Sequence, residues 1–267
     1  MNALERIVAS TREELARRRR AVPPEAMSRA CDERCARAGD RRSFEQALAH
    51  PGLSVIAEHK RRSPSAGTIR EGIALEDVVR AYQRGGAAAL SILTEGPSFG
   101  GCLADLRAAR AAVTLPILRK DFIVDPYQVS ESFAAGADAI LLIVAALTGR
   151  ECAQLQAQAR GLGLTALVEV HDELELELAL RGGATVIGIN NRDLSTLAVD
   201  TRRTFELLPR VPAGTLVVAE SGFSRPEELD ELAGAGASGV LVGEALMRSP
   251  DMEAACRGLT ARVSALG

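Results

Sequence analysis

The chain has 267 residues, of which 47% are hydrophobic and 25% are charged, and its formal net charge at pH 7 is −3. This length suits one large α/β domain or two small ones. The slightly acidic balance gives no reason to expect a nucleic-acid partner, since such proteins usually carry a basic surface. No apolar run approaches the ~20 residues that cross a bilayer, so we expect no membrane association.

Residues 1–50 predict an N-terminal helical extension. The opening segment MNALERIVASTREELARRRR has a helical pattern, but it contains three glutamates and no apolar signal core. It therefore predicts mature, cytoplasmic protein rather than a targeting peptide. We interpret its basic run, Arg17–Arg20, as a solvated helix face. The helical pattern breaks at Val22-Pro23-Pro24 and stops near residue 50.

The five cysteines are scattered and odd in number, which argues against a disulfide framework. Cys31 and Cys35 are four residues apart, so they would share one helix face, where we expect them to pack as small residues. Two thiols and three histidines without ligand spacing make a poor zinc site. We therefore expect no metal.

From residue 51 to residue 267, short runs rich in Val, Ile, Leu and Ala alternate with longer amphipathic segments. The runs predict eight strands, at 54–58, 88–93, 115–120, 139–144, 165–170, 185–190, 215–220 and 239–242. The roughly 20 to 35 residues between successive strand ends suit a strand, a helix and two loops. Near-continuous apolar strands separated by helices indicate a covered parallel sheet.

Eight such units predict an α/β fold: a single (β/α)8 TIM barrel with an N-terminal helical extension, forming one structural domain. The segments RGGAAAL, AAGADAI, RGGATVI and GAGASGV each precede a strand, where glycine ends the preceding helix. A doubly wound open sheet is the structural alternative, which periodicity alone leaves open. Neither a GxGxxG motif after the first strand nor a P-loop is present.

Charged side chains collect at the predicted carboxyl ends of the strands, where a barrel builds its site. The set consists of Glu58, Lys60, Lys120, Glu169 and Glu220. Each alone would be an ordinary exposed charge, but opposite charges at one mouth tune each other's proton affinity. The set predicts general acid–base chemistry, with a Schiff-base role for Lys120 as the alternative.

Strand alternation separates the residues around Lys120. In LPILRKDF, Lys120 and Phe122 share one face of the strand, while Arg119 and Asp121 share the other. If Lys120 faces the mouth of the barrel, Arg119 and Asp121 face the helix layer. We expect these two to form an ion pair.

Glycines directly follow the seventh and eighth predicted strands, in ESGF and LVGEALMRS. Glycine lets backbone N–H groups approach an anion closely, and the loops after these two strands are a recurrent phosphate site in barrels. We therefore expect a small-molecule substrate that carries a phosphate.

Six motifs resemble those of the indole-3-glycerol-phosphate synthase family, over a match from about residue 3 to residue 260. They are IAEHKRRSPSAG, LRKDFIVDPYQV, ALVEVHDELELELAL, IGINNRDLSTLAVD, AESGF and VLVGEALM. The leading segment LERIVASTREELARRR resembles that family's N-terminal helical extension. The resemblance implies a carboxy-lyase of tryptophan biosynthesis that needs no metal or organic cofactor. It would convert 1-(2-carboxyphenylamino)-1-deoxyribulose 5-phosphate into indole-3-glycerol phosphate, CO2 and water.

The resemblance also implies roles for individual residues. Lys120 would act as general acid on the substrate ketone, and Lys60 would contact substrate and act as an acid in later steps. Glu169 would be the base for dehydration, with Glu58 assisting proton transfer. Further substrate contacts would come from Ser63, Phe99, Phe122, Leu142, Asn190, Arg192, Leu194 and Glu220. Phosphate would sit on Ser221, Gly222, Gly243 and Glu244, mainly through backbone N–H groups.

Two positions depart from the family's pattern. Ser98 stands where an aromatic residue is usual, and Cys102 stands where a serine is common. Rival interpretations are another phosphate-binding barrel, such as a sugar-phosphate isomerase, and a non-catalytic barrel that binds a sugar phosphate. We expect a monomer, with a weak homodimer as the alternative. We assign Arg61 and Arg62 to solvent or phosphate steering, and expect the loop at 63–67 to close over bound substrate.

Overall fold

Eight parallel strands form a closed barrel in the computed structural model, which describes residues 2–37, 39 and 41–263. In chain order they are β1 Ser54–His59, β2 Ala89–Leu93, β3 Ile117–Lys120, β4 Ala139–Ile143, β5 Thr165–Val170, β6 Val186–Asn190, β7 Leu216–Glu220 and β8 Gly239–Val242. Each strand pairs with the next, and β8 pairs with β1 in the register Ser54–Gly239. The predicted (β/α)8 barrel is confirmed, because a doubly wound sheet would stay open.

Helices precede the barrel and cover its outer face. Those before β1 are α1 Ala3–Ala21, α2 Pro24–Ala36 and α3 Phe44–Leu48. Those after β1 to β7 are α4 Leu75–Arg84, α5 Leu103–Ala112, α6 Pro126–Ala135, α7 Gly149–Leu162, α8 Glu173–Arg181, α9 Arg202–Leu207 and α10 Pro226–Ala235, and α11 Glu244–Arg248 and α12 Met252–Val263 follow β8. Within the described residues, no helix is both long and apolar enough to cross a membrane.

Local sequence signals set the ends of these helices. The Asp172 side chain accepts a hydrogen bond from the backbone N–H of Glu175 at 2.9 Å, which caps the start of α8. Gly136 and Gly236 end α6 and α10 at φ values of 104° and 93°, a conformation that glycine adopts without steric cost. The predicted role of glycine before the strands is confirmed at these two positions.

Strand alternation divides the apolar side chains into two layers. One layer fills the interior of the barrel and includes Ile56, Leu118, Leu141, Leu167 and Val218. The other lies between the strands and the helices and includes Val55, Leu90, Leu142, Val168 and Val217. Successive side chains of a strand point to opposite faces, so neighbours in sequence fall into different layers.

Two contacts join the N-terminal helices to the barrel. Phe44 and Leu48 of α3 are buried together with the inward-facing side chains of the strands. Arg34 of α2 donates a hydrogen bond to the carbonyl oxygen of Ala137 at 2.7 Å and pairs with Asp138 at 3.3 Å. The α3 contact is with the barrel interior, and the α2 contact lies just before β4. The N-terminal helices therefore pack on the barrel rather than extend away from it.

The basic run of α1 is not simply a solvated face, and that interpretation is wrong in part. Arg18 pairs with the buried carboxylate of Glu131 at 2.8 Å, and Arg19 pairs with Asp125 at 3.3 Å. The partners lie on or just before α6, more than 100 residues further along the chain, so the helical pattern alone gave no sign of them.

The packing predicted for the two cysteines of α2 is correct only for Cys31. The Cys31 thiol is buried and lies 3.5 Å from the carbonyl oxygen of Ser130, whereas Cys35 is exposed. A spacing of four residues places both on one side of a helix, but only the Cys31 side chain is buried against α6.

Candidate active site

A cavity of about 530 Å³ opens at the carboxyl ends of the strands, and all eight strands contribute side chains to its lining. It is lined by fifteen of the sixteen predicted site residues: Glu58, Lys60, Ser63, Phe99, Lys120, Phe122, Glu169, Asn190, Arg192, Leu194, Glu220, Ser221, Gly222, Gly243 and Glu244. The residues converge because the carboxyl ends of parallel strands in a barrel share one rim.

The placement of Leu142 at the cavity floor is wrong. Leu142 is fully buried in the layer between β4 and the helices, whereas its neighbours Leu141 and Ile143 line the cavity. The strand side chains alternate, so the apolar floor falls on the residues before and after the predicted one.

Lys120 lines the cavity and lies between two carboxylates. Its Nζ is 3.2 Å from Oε2 of Glu169 and also donates a hydrogen bond to Oε2 of Glu220. Both glutamates are 1% exposed, so their charges have almost no contact with solvent. A second ion pair, Lys60 Nζ to Glu58 Oε1 at 2.7 Å, faces the same cavity.

The buried charges set one another's protonation. Burial alone would favour neutral Lys120, but Glu220 and Glu169 outweigh it and raise the pKa of Lys120. Burial likewise works against ionised Glu58 and Glu169, yet the lysines prevail and lower the pKa of each. At Glu220, burial dominates despite the contact with Lys120 and raises its pKa to about 7. The cavity therefore holds an ammonium and two carboxylates together with one carboxyl group that titrates near neutrality.

The protonation of Lys120 disfavours the Schiff-base alternative, because an ammonium has no lone pair with which to attack a carbonyl. The same state suits a general acid that gives up its proton only when a stronger base forms on the substrate.

Gly188 in β6 and Gly243 directly after β8 leave the space that two carboxylates of the cavity occupy. A Cβ at Gly188 would lie 2.3 Å from Oε1 of Glu220, and a Cβ at Gly243 would lie 2.6 Å from Oε1 of Glu58. Neither position can carry a side chain unless the neighbouring carboxylate moves. Both glycines are therefore part of the site, because each leaves room for a carboxylate.

Replacement of Gly188 by alanine is expected to lower kcat by on the order of 100-fold, because the new methyl group displaces Glu220 from Lys120. The displaced atom is the end of a flexible side chain, so the urea midpoint of unfolding should change little. Gly161→Ala is the control, since a Cβ at this helical position meets no atom within 4 Å. Steady-state kinetics that are identical for the two variants would show that Gly188 has no role in positioning Glu220.

The apolar end of the cavity is built around two aromatic rings. Phe99 and Phe122 lie with ring centroids 6.4 Å apart and planes tilted by 36°. Phe99 is held by the buried carboxylate of Glu95, which accepts hydrogen bonds from the backbone N–H groups of Ser98 at 2.7 Å and Phe99 at 2.9 Å. Glu95 was not predicted, because only the three-dimensional turn shows that its side chain folds back on the chain.

Helix α1 also contributes side chains to the cavity lining, and this contribution was not predicted from the sequence. Ala3, Leu4 and Ile7 line it beside Phe122 and Leu194. The sequence signal was the apolar side of α1, but an apolar helix face predicts packing without saying which surface it meets.

The predicted phosphate end has an unusual backbone conformation. Ser221 has a φ of 63°, one of two positive values among the described non-glycine residues, and Gly222 follows at 92°. The fully buried Asn191 fixes this turn by donating a hydrogen bond to the carbonyl oxygen of Ser221 at 2.9 Å. Arg248 also lines the cavity and pairs with Glu244 at 2.9 Å.

The loop after β1 is held by its own hydrogen bonds and by contacts with the segment after β2. It contains a short antiparallel hairpin of Arg62–Ser63 and Gly67–Thr68. Arg61 pairs with Asp105 through two hydrogen bonds of 2.6 and 2.8 Å, and Arg62 donates to the carbonyl oxygen of Pro97 at 2.6 Å. The assignment to solvent or phosphate steering is therefore wrong for Arg61, which is held by Asp105, whereas Arg62 is exposed and also hydrogen-bonds to the segment after β2.

The predicted ion pair between Arg119 and Asp121 is confirmed at 2.8 Å, on the helix-facing side of β3. Within the described part of the chain, no group of three or more His, Cys, Asp and Glu side chains is arranged to hold a metal ion.

Sequence comparison gives one consistent family. A family model described as indole-3-glycerol phosphate synthase matches residues 4–259. An indole-3-glycerol phosphate synthase of Parafrankia sp. is 50% identical over 254 residues, which are 94% of this chain and 92% of that protein. Indole-3-glycerol phosphate synthase 2 of Streptomyces coelicolor is 48% identical over 242 residues, 91% of this chain and 93% of that protein.

Comparison with solved structures supports the architecture. A thiamine phosphate pyrophosphorylase from Pyrococcus furiosus superposes with a TM-score of 0.61 at 18% identity, covering 80% of this chain and 96% of that one. A 3-hexulose-6-phosphate synthase from Salmonella typhimurium gives 0.61 at 14% identity, covering 80% and 100%. At such identities the likeness concerns the barrel fold alone.

Proposed function

Because the chain belongs to the indole-3-glycerol phosphate synthase family, we propose that it converts 1-(2-carboxyphenylamino)-1-deoxyribulose 5-phosphate into indole-3-glycerol phosphate, CO2 and water. This reaction is a step of tryptophan biosynthesis, and we propose that it proceeds here without a metal or an organic cofactor. The observation that carries the proposal is the Lys120 ammonium, held between Glu169 and Glu220 in the cavity that also contains the Glu58–Lys60 pair.

The cavity has one end suited to each part of this substrate. The phosphate is assigned to the turn of Ser221 and Gly222 together with Gly243 and Glu244, mainly through backbone N–H groups. The aromatic ring is assigned to the apolar surface formed by Phe99, Phe122 and Leu194 with Leu141 and Ile143. Ser63 and Arg192 are assigned to the substrate carboxylate. The chain of the sugar then passes the charged centre between the two ends.

Ring closure is assigned to Lys120. Attack by the aromatic carbon on the ketone develops negative charge on the ketone oxygen, which a nearby ammonium stabilises and protonates. Glu169 and Glu220 keep Lys120 protonated until that charge forms. The new bond joins the ring carbon to the former ketone carbon, and the proton from Lys120 makes that oxygen a hydroxyl group.

Loss of CO2 follows without an external electron acceptor. The iminium produced by ring closure takes up the electron pair of the breaking carbon–carboxylate bond, so the charges are balanced within the substrate. This internal electron sink is the reason that no organic cofactor is required in the proposed route.

Dehydration is assigned to Glu169 and Lys60. Glu169 removes a proton from the newly formed five-membered ring. Lys60 protonates the hydroxyl group of that ring, which leaves as water. Glu58 stabilises the Lys60 ammonium through their contact at 2.7 Å. Asn190 and Glu220, which lie at the ends of β6 and β7 and line the cavity, are assigned to orientation of the substrate hydroxyl groups.

The direct test is to incubate the purified protein with the carboxyphenylamino deoxyribulose phosphate and to measure indole fluorescence and released CO2 together. We expect both products in equal amounts, and unchanged activity after treatment with a chelator. A barrel that only binds sugar phosphates would give neither product, and an isomerase would change the sugar without releasing CO2. Either result would contradict the proposed activity.

We further propose a cytoplasmic monomer, with residues 1–50 as a helical extension packed on the barrel of residues 51–267. The burial of Phe44 and Leu48 against the barrel interior supports the packing of the extension. Sedimentation velocity over a range of protein concentrations distinguishes a monomer from the alternative, a weak homodimer.

A further inference from the structure

His171 lies behind the carboxylate of Glu169 and does not line the cavity. Glu169 lies at the end of β5, and His171 directly follows the strand, two positions further along the chain. Nε2 of His171 is 3.5 Å from Oε1 of Glu169. Each of these atoms has less than 1 Å² exposed, and neither makes a hydrogen bond within the described residues. Two buried polar atoms that face each other are costly unless a proton lies between them.

The other side of the imidazole is fixed by Glu175, in the first turn of α8. Oε2 of Glu175 lies 3.0 Å from Nδ1 of His171 and accepts a hydrogen bond from its backbone N–H at 2.8 Å. A carboxylate only accepts hydrogen bonds, so Nδ1 carries the hydrogen in this contact. A neutral ring would then direct the Nε2 lone pair at the Glu169 carboxylate and repel it. A protonated ring instead offers Nε2–H, which Oε1 can accept.

Three charged groups face the imidazole from three elements: Glu169 on β5, Glu175 on α8 and Arg203 on α9. Burial and the charge of Arg203 work against the protonated ring, whereas the two carboxylates favour it. The carboxylates prevail, and the pKa of His171 is raised. The positive ring in turn helps Lys120 to lower the pKa of Glu169.

We propose that His171 is a positioning residue: as an imidazolium held by Glu175, it keeps Glu169 ionised and oriented for proton removal. The inference rests on the proposed function, because the dehydration step is what requires Glu169 as a base. Lys120 contacts Oε2 of Glu169 and His171 faces Oε1, so the carboxylate is held from two sides. When the substrate engages Lys120, the imidazolium still stabilises the negative charge of Glu169.

The pH dependence follows from the proton on Nε2. As pH rises through the pKa of His171, the ring loses this proton, and Oε1 of Glu169 loses the donor that His171 provides. The rate of dehydration should therefore fall on the basic side of its pH profile. Glu175→Gln keeps an acceptor for Nδ1–H but removes the charge that raises the pKa of His171. The basic limb should consequently move to lower pH.

The test measures dehydration under single-turnover conditions in wild type, Glu175→Gln and Glu173→Gln. For Glu175→Gln we expect a rate close to wild type near pH 6 and roughly five-fold below it near pH 8. Glu173 is the matched control, since it also lies in the first turn of α8 but pairs at the surface with Arg210. Its variant should follow the wild-type profile. A Glu175→Gln profile that superimposes on wild type would overturn the inference.

Proton NMR titration of the histidines gives a readout that does not depend on turnover. The chain has three histidines, and loss of a signal in His171→Gln assigns that of His171. We expect the pKa of His171 to fall in Glu175→Gln and in Glu169→Gln and to stay unchanged in Glu173→Gln. An unchanged pKa in the first two variants would contradict the pairing. Shifted pKa values in a protein without synthase activity would instead contradict the proposed function.

Discussion

Replacement of Lys120 by methionine is expected to lower kcat for formation of indole-3-glycerol phosphate by about 100-fold or more. Methionine retains most of the side-chain length but has neither a charge nor a proton to donate. The substitution thus removes both the acid and the cation beside the ketone oxygen, where negative charge develops. KM should change much less, because the phosphate and the aromatic ring are assigned to other parts of the cavity.

Lys120→Arg separates the two contributions of Lys120. Arginine keeps the positive charge between Glu169 and Glu220, but its delocalised guanidinium stays protonated and is a poor proton donor. We expect this variant to fold like wild type and to remain strongly impaired in single-turnover ring closure. Near-normal ring closure in Lys120→Arg would show that charge alone is required. Near-normal ring closure in Lys120→Met would show that ring closure does not require Lys120.

The lysine content of the chain is an independent sequence signal for this site. Of the 32 lysines and arginines, only Lys60 and Lys120 are lysines, and both line the cavity. The structural ion pairs elsewhere use arginine, whose guanidinium stays protonated and forms two parallel hydrogen bonds, as Arg61 does with Asp105. Lysine is the side chain whose proton can be transferred more readily, so its restriction to the cavity agrees with acid–base chemistry.

The positions that could be predicted from the sequence lie in strands where a polar residue indicates which side chains face the cavity and which face the helices. In β3, the adjacent residues Arg119 and Lys120 face opposite sides of the strand. Placing Lys120 toward the cavity therefore places Arg119 toward the helices. In β4 every residue from Ala139 to Ile143 is apolar, and either phase buries a hydrophobic face. The sequence therefore located Lys120 in the cavity but misplaced Leu142 by one position.

Contacts between distant segments were beyond the reach of sequence patterns. Arg61 and Asp105 are 44 residues apart, and nothing in either segment identifies the other as its partner. The apolar face of α1 was visible in the sequence, but its contact with the cavity through Leu4 and Ile7 depends on where the helix packs. Strand periodicity determines which way a side chain points, whereas partner choice depends on how the barrel closes.

Replacement of Arg119 by methionine is expected to lower the free energy of unfolding by about 3–5 kcal/mol. Arg119 is 1% exposed and lies between Asp121 at 2.8 Å and Glu131 at 3.0 Å. Although burial disfavours its charge, these carboxylates raise its pKa. Methionine would leave Asp121 buried without its ion-pair partner, and a buried uncompensated charge is the costly outcome. Urea unfolding monitored by circular dichroism measures the loss.

A second substitution tests whether this orphaned charge is the cause. Arg119→Met combined with Asp121→Asn should recover part of the lost stability, because the buried group that remains is neutral. The exposed Arg107 of α5 is the control, and Arg107→Met should change stability by no more than about 0.5 kcal/mol. A loss below about 1 kcal/mol in Arg119→Met would contradict the argument. Arg119 and Asp121 flank Lys120 in sequence, so the ion pair that stabilises the end of β3 lies on the opposite face of the strand from Lys120.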